Sequence, residues 1–510
     1  MKKLFIVFFV IITLPITQVV FLTTTDYEIS QTFNLNQIDL NRNSNLEYFS
    51  SDIKISSTYN AQDYIGLQQS VWKNGLTGRN ITVAVIDTGI FGNHSAFTND
   101  GKLNWSDRII KYFDLMTNTS DMPQDDNGHG TWVASILGGN CSDYQGVAPG
   151  VNLVILRIFD STGETNISIF ENAINWILQN KNIYNIRIVS MSFGAKPDMN
   201  NLFQIAYLQQ IVRKLVDNGM LVIAAAGNDR STPQSDGDRT INAPASDRKV
   251  LAIGGVDYDG DMYQYSSGGP SFELVKKPDV CAPAVSIYGA DTDSPDDYAF
   301  GSGTSGATPF VAGLAALMLE KEDTLTPLQL KSILSLTSYK TKNPRIIQDN
   351  IQGWGIVQGY AALESLNTPV LINVSTKIAI SLNQNYTVFC LPIRLKPNYH
   401  YFELIQLNLA QAEMYLYKME PNTYGIPELV SQTINQLTLE SSVKRMGVFI
   451  DVEQNYFLVV KSIQRGPGNF LVRLVVEYRN LIFLFSFAIS IACLVYIGKL
   501  RVNLKNREKG

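Results

Sequence analysis

The chain has 510 residues, 45% of them apolar and 17% charged, an ordinary balance for packed globular structure with room for more than one domain. Its 41 Lys and Arg against 46 Asp and Glu leave a formal net charge of −5. So weak a balance, without a clustered basic face, excludes nucleic acid as an expected partner.

In chain order, the first element is apolar. Lys2 and Lys3 precede an uncharged run from Leu4 to about Leu22, so residues 1–24 read as a signal peptide or signal anchor. Thr23, Thr24 and Thr25 stand where small cleavage-site residues would be clearer, which leaves cleavage open. Residues 25–58 are polar and Asn/Ser-rich with little periodicity, and the pattern changes at Tyr59.

Residues 59–366 alternate strand and helix signals. Ile81–Asp87, Val151–Phe159, Arg187–Phe193 and Leu221–Ala226 read as strands, and Ile167–Asn180 and Leu202–Asn218 as amphipathic helices. Gly306 to about Lys321 is apolar nearly all round, which places that helix in the core, and further amphipathic stretches begin at Pro327 and Gln352. Continuous apolar strands between amphipathic helices predict an α/β fold, a doubly wound, mainly parallel sheet with helices on both faces.

Beyond Asn367 the period becomes two, with strands expected at Val370–Leu382, Tyr386–Leu395, Val448–Val452, Tyr456–Ser462 and Phe470–Tyr478. Residues 367–479 therefore read as a β-rich juxtamembrane module of about the size of a small sandwich. Residues 481–498 then form an uncharged run of transmembrane length, and 499–510 a basic cytoplasmic tail with Lys499, Arg501, Lys505, Arg507 and Lys509. The expected location is a membrane, with the bulk of the chain on the extracytoplasmic side. Sequons such as those at Asn80, Asn93 and Asn166 fit an exported chain. Of the 4 cysteines, Cys493 lies in the apolar run, and the odd remainder of Cys141, Cys281 and Cys390 implies at least one thiol without a partner in the chain.

Three segments carry chemistry. Ala84-Val85-Ile86-Asp87-Thr88-Gly89 puts a carboxylate at the carboxyl end of a strand, where open α/β sheets hold their sites. Gly128-His129-Gly130-Thr131 puts an imidazole at a helix start, and Gly303-Thr304-Ser305-Gly306-Ala307-Thr308-Pro309 a hydroxyl at the start of the core helix. Acyl transfer needs this set: histidine removes the proton that makes serine a weak nucleophile, and a carboxylate fixes the imidazole tautomer. Asn228, just past a core strand, can supply an amide to a developing oxyanion beside the backbone N–H of Ser305. No cofactor is required for that chemistry and no metal-ligand spacing is visible. The Asp125-Asp126 pair is compatible with structural calcium or with a solvated turn, and no calcium site is assigned.

The order Asp, His, Asn, Ser and the sequence around each resemble the subtilisin-like (subtilase) serine protease family over roughly Tyr59 to Leu366. Gly146-Val147-Ala148-Pro149, Asn242-Ala243-Pro244-Ala245, Ser266-Ser267-Gly268 and Lys277-Pro278-Asp279-Val280-Cys281-Ala282-Pro283 add to it. The resemblance implies a subtilisin-like fold and serine endopeptidase activity on polypeptides, with Asp87, His129 and Ser305 as triad and Asn228 in the oxyanion hole. It also implies that Ser192, Phe193 and Gly194 pair with substrate backbone, and that with Ala225, Ala226 and Gly227 they bound the substrate site. That wall is uncharged, so an apolar or aromatic residue is expected before the cut. The chain departs from the family at Gly306 (usually Met), Phe310 (usually His), Trp132 (often His) and Ala284 (often Gly). Gly306 is expected to add backbone freedom beside the nucleophile. Residues 25–58 are short and polar for a family propeptide. The competing reading is a catalytically inactive ectodomain that binds peptides or serves in adhesion.

Overall fold

A computed structural model of the chain describes residues 62–98, 108–198, 201–230, 239–372, 376–383, 387–433, 443–463 and 467–477, apart from positions 63, 68–70, 72–74, 121 and 142–143. Residues 1–24 and 481–498, expected to be leader and membrane helix, lie outside the described residues. Among the described residues no helix is long and apolar enough to cross a membrane.

Seven parallel strands build the main sheet: β1 (Thr82–Asp87), β2 (Ile109–Asp114), β3 (Asn152–Arg157), β4 (Ile186–Met191), β5 (Leu221–Ala225), β6 (Leu251–Val256) and β7 (Val280–Pro283). Their order is β2-β3-β1-β4-β5-β6-β7, so the chain winds outward both ways from β1. Helices α1 (His129–Gly138), α2 (Ile167–Asn180), α3 (Leu202–Asp217), α4 (Thr304–Lys321), α5 (Pro327–Leu336) and α6 (Gly359–Glu364) surround it. The strands are buried on both faces, which is why they read as continuous apolar runs. Val83, Val85, Leu153, Ile155 and Ile223 face one core with Val133 and Ile136 of α1 and Phe310, Leu314 and Leu317 of α4. Their neighbours Ala84, Ile86, Val154, Leu156 and Val222 face the other, with Phe170 and Ile174 of α2 and Ile211 and Leu215 of α3. The amphipathic stretch placed from Gln352 is helical only at Gly359–Glu364. A hairpin that periodicity did not disclose, β8 (Ile287–Ala290) and β9 (Tyr298–Gly301), stands outside this sheet and leads into α4.

The β-rich module is a sandwich of a five-stranded and a four-stranded sheet around its own core, which includes Ile393, Phe402, Leu416, Leu458 and Leu474. The segment expected as one strand over Val370–Leu382 is two, Val370–Ile372 and Thr376–Leu382, in different sheets. Strands Asn398–Gln406, Ala412–Lys418 and Leu429–Gln432 were not anticipated. The outer face of the larger sheet packs on the first unit: Cys390, Tyr415, Tyr417 and Phe457 share a core with Trp354 and Ile356. Lys461 Nζ donates across the junction to the Ser338 carbonyl at 2.7 Å, and burial pushes its pKa down to about 7. Among the described residues Cys141, Cys281 and Cys390 form no disulfide.

Behind β6 and β7 the Lys277-Pro278-Asp279 segment closes a buried ion cluster. Asp279 Oδ2 lies 2.6 Å from Lys277 Nζ and Oδ1 lies 3.2 Å from Lys331 Nζ of α5, while Oδ2 also accepts from the Ala252 N–H. Burial opposes the Asp279 charge, but the two ammonium groups outweigh it and hold the carboxyl below its ordinary range; burial pushes Lys331 down to about 8. Removing one member of such a set leaves uncompensated charge in the interior. Asp279→Ala is expected to cost about 3–5 kcal/mol of stability, measured by chemical denaturation.

Candidate active site

Each side chain is placed by the end of a regular element. Asp87 closes β1, 1% exposed, and its Oδ1 accepts from the Thr88 N–H at 2.8 Å. His129 opens α1, its side chain 33% exposed, with Nδ1 2.7 Å from the same Oδ1. A carboxylate only accepts, so Nδ1 carries the proton and the Nε2 lone pair remains for other work. Helix α1 starts at this point because Asp125 caps it. Gly128 is left-handed at φ 91° and has no side chain to cap with; instead Asp125 Oδ1 accepts from the Gly128 N–H, and Oδ2 from the N–H and hydroxyl of Thr131. Asp126 Oδ2 takes the Arg157 guanidinium at 2.9 Å. Asp125 thus serves as a helix cap and Asp126 in an ion pair, and among the described residues there is no group of three or more His, Cys, Asp or Glu side chains that could hold a metal.

Ser305 is the second residue of α4, where helical N–H groups lack intrahelical acceptors and the dipole favours negative charge. Pro309 sits one turn on and has no N–H, so the Ser305 carbonyl loses its helical partner. The Ser192 hydroxyl replaces it at 2.9 Å, and Ser305 Oγ donates back to the Ser192 carbonyl at 2.8 Å. Ser192 follows β4, next to β1 in the sheet, and this exchange ties the helix start to the sheet edge. The hydroxyl is therefore turned toward Ser192, and must rotate to meet His129. Asn228, past β5, is held by its oxygen: Oδ1 accepts from the N–H and hydroxyl of Thr304, at 2.9 and 3.0 Å, which leaves the Nδ2 hydrogens for an incoming group.

Asn228, Ser305 and His129 line one cleft of about 400 Å³, whose far wall is Trp132 and the β8–β9 hairpin. Burial opposes protonation of His129, but the charge and hydrogen bond of Asp87, with Asp125 beyond it, outweigh burial and raise its pKa above 6.5.

Two of the departures from the family explain one another. A Cβ on Gly306 would lie 2.7 Å from Trp132 Cη2, and Cβ atoms on Gly289 and Gly301 would lie 2.4 and 2.6 Å from the same indole. Gly306 is buried inside a helical turn against that ring. The expected backbone freedom at Gly306 is countered by packing: the glycine makes room for an indole that fills the space.

The six residues expected along the substrate are not among those that line this cleft; of them, Ser192 bonds Ser305 and the Gly227 N–H donates to the Thr304 hydroxyl at 3.3 Å. Phe193 turns its ring away, edge-on to Phe159 and Phe170 at centroid distances of 5.0 and 5.7 Å. Gly194 is exposed, and Ala225, Ala226 and Gly227 are buried. Gly227 is left-handed at φ 110°, where a Cβ would meet the Asn242 side chain at 2.6 Å. The remaining histidines are structural: His94 donates from Nε2 to the Asp297 carbonyl at 2.7 Å, and His400 Nε2 lies 2.8 Å from the Lys396 carbonyl. Sequence reasoning missed the hairpin wall, whose only signal is an acidic turn, Asp291–Asp297, between Tyr288 and the pair Tyr298 and Phe300.

A doubly wound α/β sheet with a serine, an imidazole and a carboxylate at its carboxyl edge defines a serine hydrolase. The chain belongs to the subtilase family, whose model (Subtilase family, Peptidase_S8) matches residues 78–355. The chain is 33% identical to Serine protease AprX of Bacillus subtilis over 57% of this chain and 68% of that protein. It is also 33% identical to Subtilisin DY of Bacillus licheniformis, over 52% of this chain and 87% of that protein. A solved cold adapted subtilisin-like serine proteinase aligns at 29% identity with a TM-score of 0.44, over 56% of this chain and 90% of that one. By its family and these relatives among the subtilisins the chain is a serine-type endopeptidase.

An NMR titration of the His129 ring is expected to show a midpoint above 6.5, falling when Asp87→Asn removes the charge that favours the imidazolium. Ser192→Ala leaves the Ser305 carbonyl unpaired and should cost about 1–3 kcal/mol in denaturant titrations. Gly306→Ala is expected to destabilise by about 1–3 kcal/mol through overpacking, with Gly306→Ala/Trp132→Phe recovering part of the loss.

Proposed function

We propose that this chain is a membrane-anchored extracytoplasmic endopeptidase that cuts polypeptides with Asp87, His129 and Ser305 through an acyl-enzyme. The observation that carries the reading is the 2.7 Å contact of His129 Nδ1 with buried Asp87, in a cleft that also holds Ser305 and Asn228. The Ser305 hydroxyl rotates from the Ser192 carbonyl to His129 Nε2, gives up its proton, and attacks the scissile carbonyl. Asp87 keeps the proton on Nδ1 and stabilises the imidazolium. Negative charge on the carbonyl oxygen meets Asn228 Nδ2 and the Ser305 N–H, both fixed before reaction, so no reorganisation is needed as charge develops. His129 then protonates the leaving amine, and water repeats the sequence to release the acid. These steps draw on side chains and backbone alone, and no cofactor is needed for them.

Anchoring and location rest on the sequence: the charged-then-apolar start of residues 1–24, the uncharged run 481–498 and the basic residues after it. Polypeptides are the proposed substrates, with an apolar or aromatic residue before the cut, since the flank at Phe193–Gly194 and Ala225–Gly227 carries no charge.

Casein hydrolysis by the full chain should fall by about 10⁶ in Ser305→Ala, and by about 10²–10³ in Asn228→Ala, magnitudes known from subtilisin itself. Equal activity of Ser305→Ala and the unaltered chain would end the assignment. For the anchor, the protein should stay with membranes through carbonate washing; its release into the wash would remove that part of the proposal.

A further inference from the structure

Ser305 has two flanks, and the triad accounts for only part of the second. On the first stand Ser192 and the ends of β4 and β5, uncharged. On the second lies the cleft beyond His129, walled by Trp132 and the β8–β9 hairpin. Proton transfer decides which half of a substrate lies where. Histidine returns its proton to the leaving nitrogen, so residues after the cut pass along the His129 flank.

Two groups on that flank share one chemical preference. Asp291 follows β8 and lines the cleft; its Oδ1 accepts from the Thr292 N–H at 2.7 Å and lies 3.9 Å from where a Cβ on Gly128 would stand, one residue before His129. Among the described residues no Lys, Arg or His forms an ion pair with Asp291, and neither Lys nor Arg lines the cleft. The second group is the Trp132 ring. Its N–H is used on the Ile287 carbonyl at 3.3 Å, and Gly289, Gly301 and Gly306 enclose it so closely that none has room for a Cβ. The ring is thereby a fixed aromatic wall, without a hydrogen-bond donor to offer and with a π-system that attracts cations.

We propose that this flank is a subsite for a Lys or Arg side chain in the first two residues after the cut, taken between the Asp291 carboxylate and the Trp132 indole. The subsite rests on the endopeptidase reading, with Ser305 as nucleophile, and adds a charge selection to it. A negative residue there meets an unpaired carboxylate at close range, and a small neutral one leaves both walls unused. The hairpin therefore acts as a filter on the amine half of the substrate, and the uncharged flank on the acyl half.

The test uses the full chain and peptides with one fixed apolar acyl half and Lys, Arg, Ala or Glu after the cut. Lys and Arg peptides should exceed Glu peptides in kcat/KM by about tenfold or more, as expected for a carboxylate and an aromatic face acting together. Asp291→Asn should lower the Lys-to-Ala ratio several-fold, and raising salt to about 1 M should narrow it in the unaltered enzyme, because exposed charge is screened over about 3 Å there. Trp132→Leu reports the ring; if it fails to fold, Trp132→Phe, which keeps a smaller ring, should give an intermediate ratio. Glu peptides cut as fast as Lys peptides, or a Lys-to-Ala ratio unmoved by Asp291→Asn, would overturn the subsite while leaving the peptidase intact. Loss of all Ser305-dependent cleavage would overturn both.

Discussion

A fully buried carboxylate facing a partly wet imidazole is the constraint around which this molecule is arranged. Asp87 cannot sit at the end of an apolar strand without a partner for its charge, and among the described residues only one of its oxygens finds donors: the Thr88 N–H and the His129 ring. Everything that fixes that contact is structural in origin. The all-buried strand sets where the carboxylate emerges, and the Asp125 cap sets where α1 begins and hence where the imidazole is carried. The parallel sheet contributes by placing β4 beside β1, so that Ser192 emerges next to Asp87 at one rim.

Helix α4, which carries Ser305, solves a different problem. A proline in its second turn would normally leave a buried carbonyl without a donor, at a cost of about 1–3 kcal/mol. Here that vacancy falls on Ser305, and a serine from the neighbouring strand end fills it. One hydrogen-bond exchange thereby satisfies the backbone, locks α4 to the sheet, and holds the Ser305 hydroxyl in a defined rotamer. The Thr304 contacts do the same for Asn228, whose amide is oriented by its own oxygen.

Much of this was legible in the residues. Strands buried on both faces announce themselves as unbroken apolar runs, and the segments around Asp87, His129, Asn228 and Ser305 were each readable because chemistry restricts the residue types at those points. What stayed hidden lacked a period. Ala412–Lys418 lies between two cores and is buried on both faces over six of its seven residues, so it shows no alternation. Asn398–Gln406 does alternate in burial, but its outward Tyr399 and Tyr401 are aromatic, which blurs the polar half of the pattern. The pairing of Gly306 with Trp132 could not be inferred either. The two are 174 positions apart, and a glycine that serves as space for a ring looks, in one dimension, like a glycine that serves as a hinge.

The docked sandwich bears on how such a chain can be divided. Composition puts a border at 366/367, yet Tyr417, Phe457 and Cys390 from beyond it finish the same apolar cluster that Trp354 and Ile356 begin. The border in sequence is therefore a seam through shared interior. A peptidase trimmed at that point would present a raw hydrophobic face to water, and the buried Lys461 that spans the junction would be gone with its cover. The two parts are better regarded as one cooperative body, in which the module farther from the chemistry helps keep the nearer one folded.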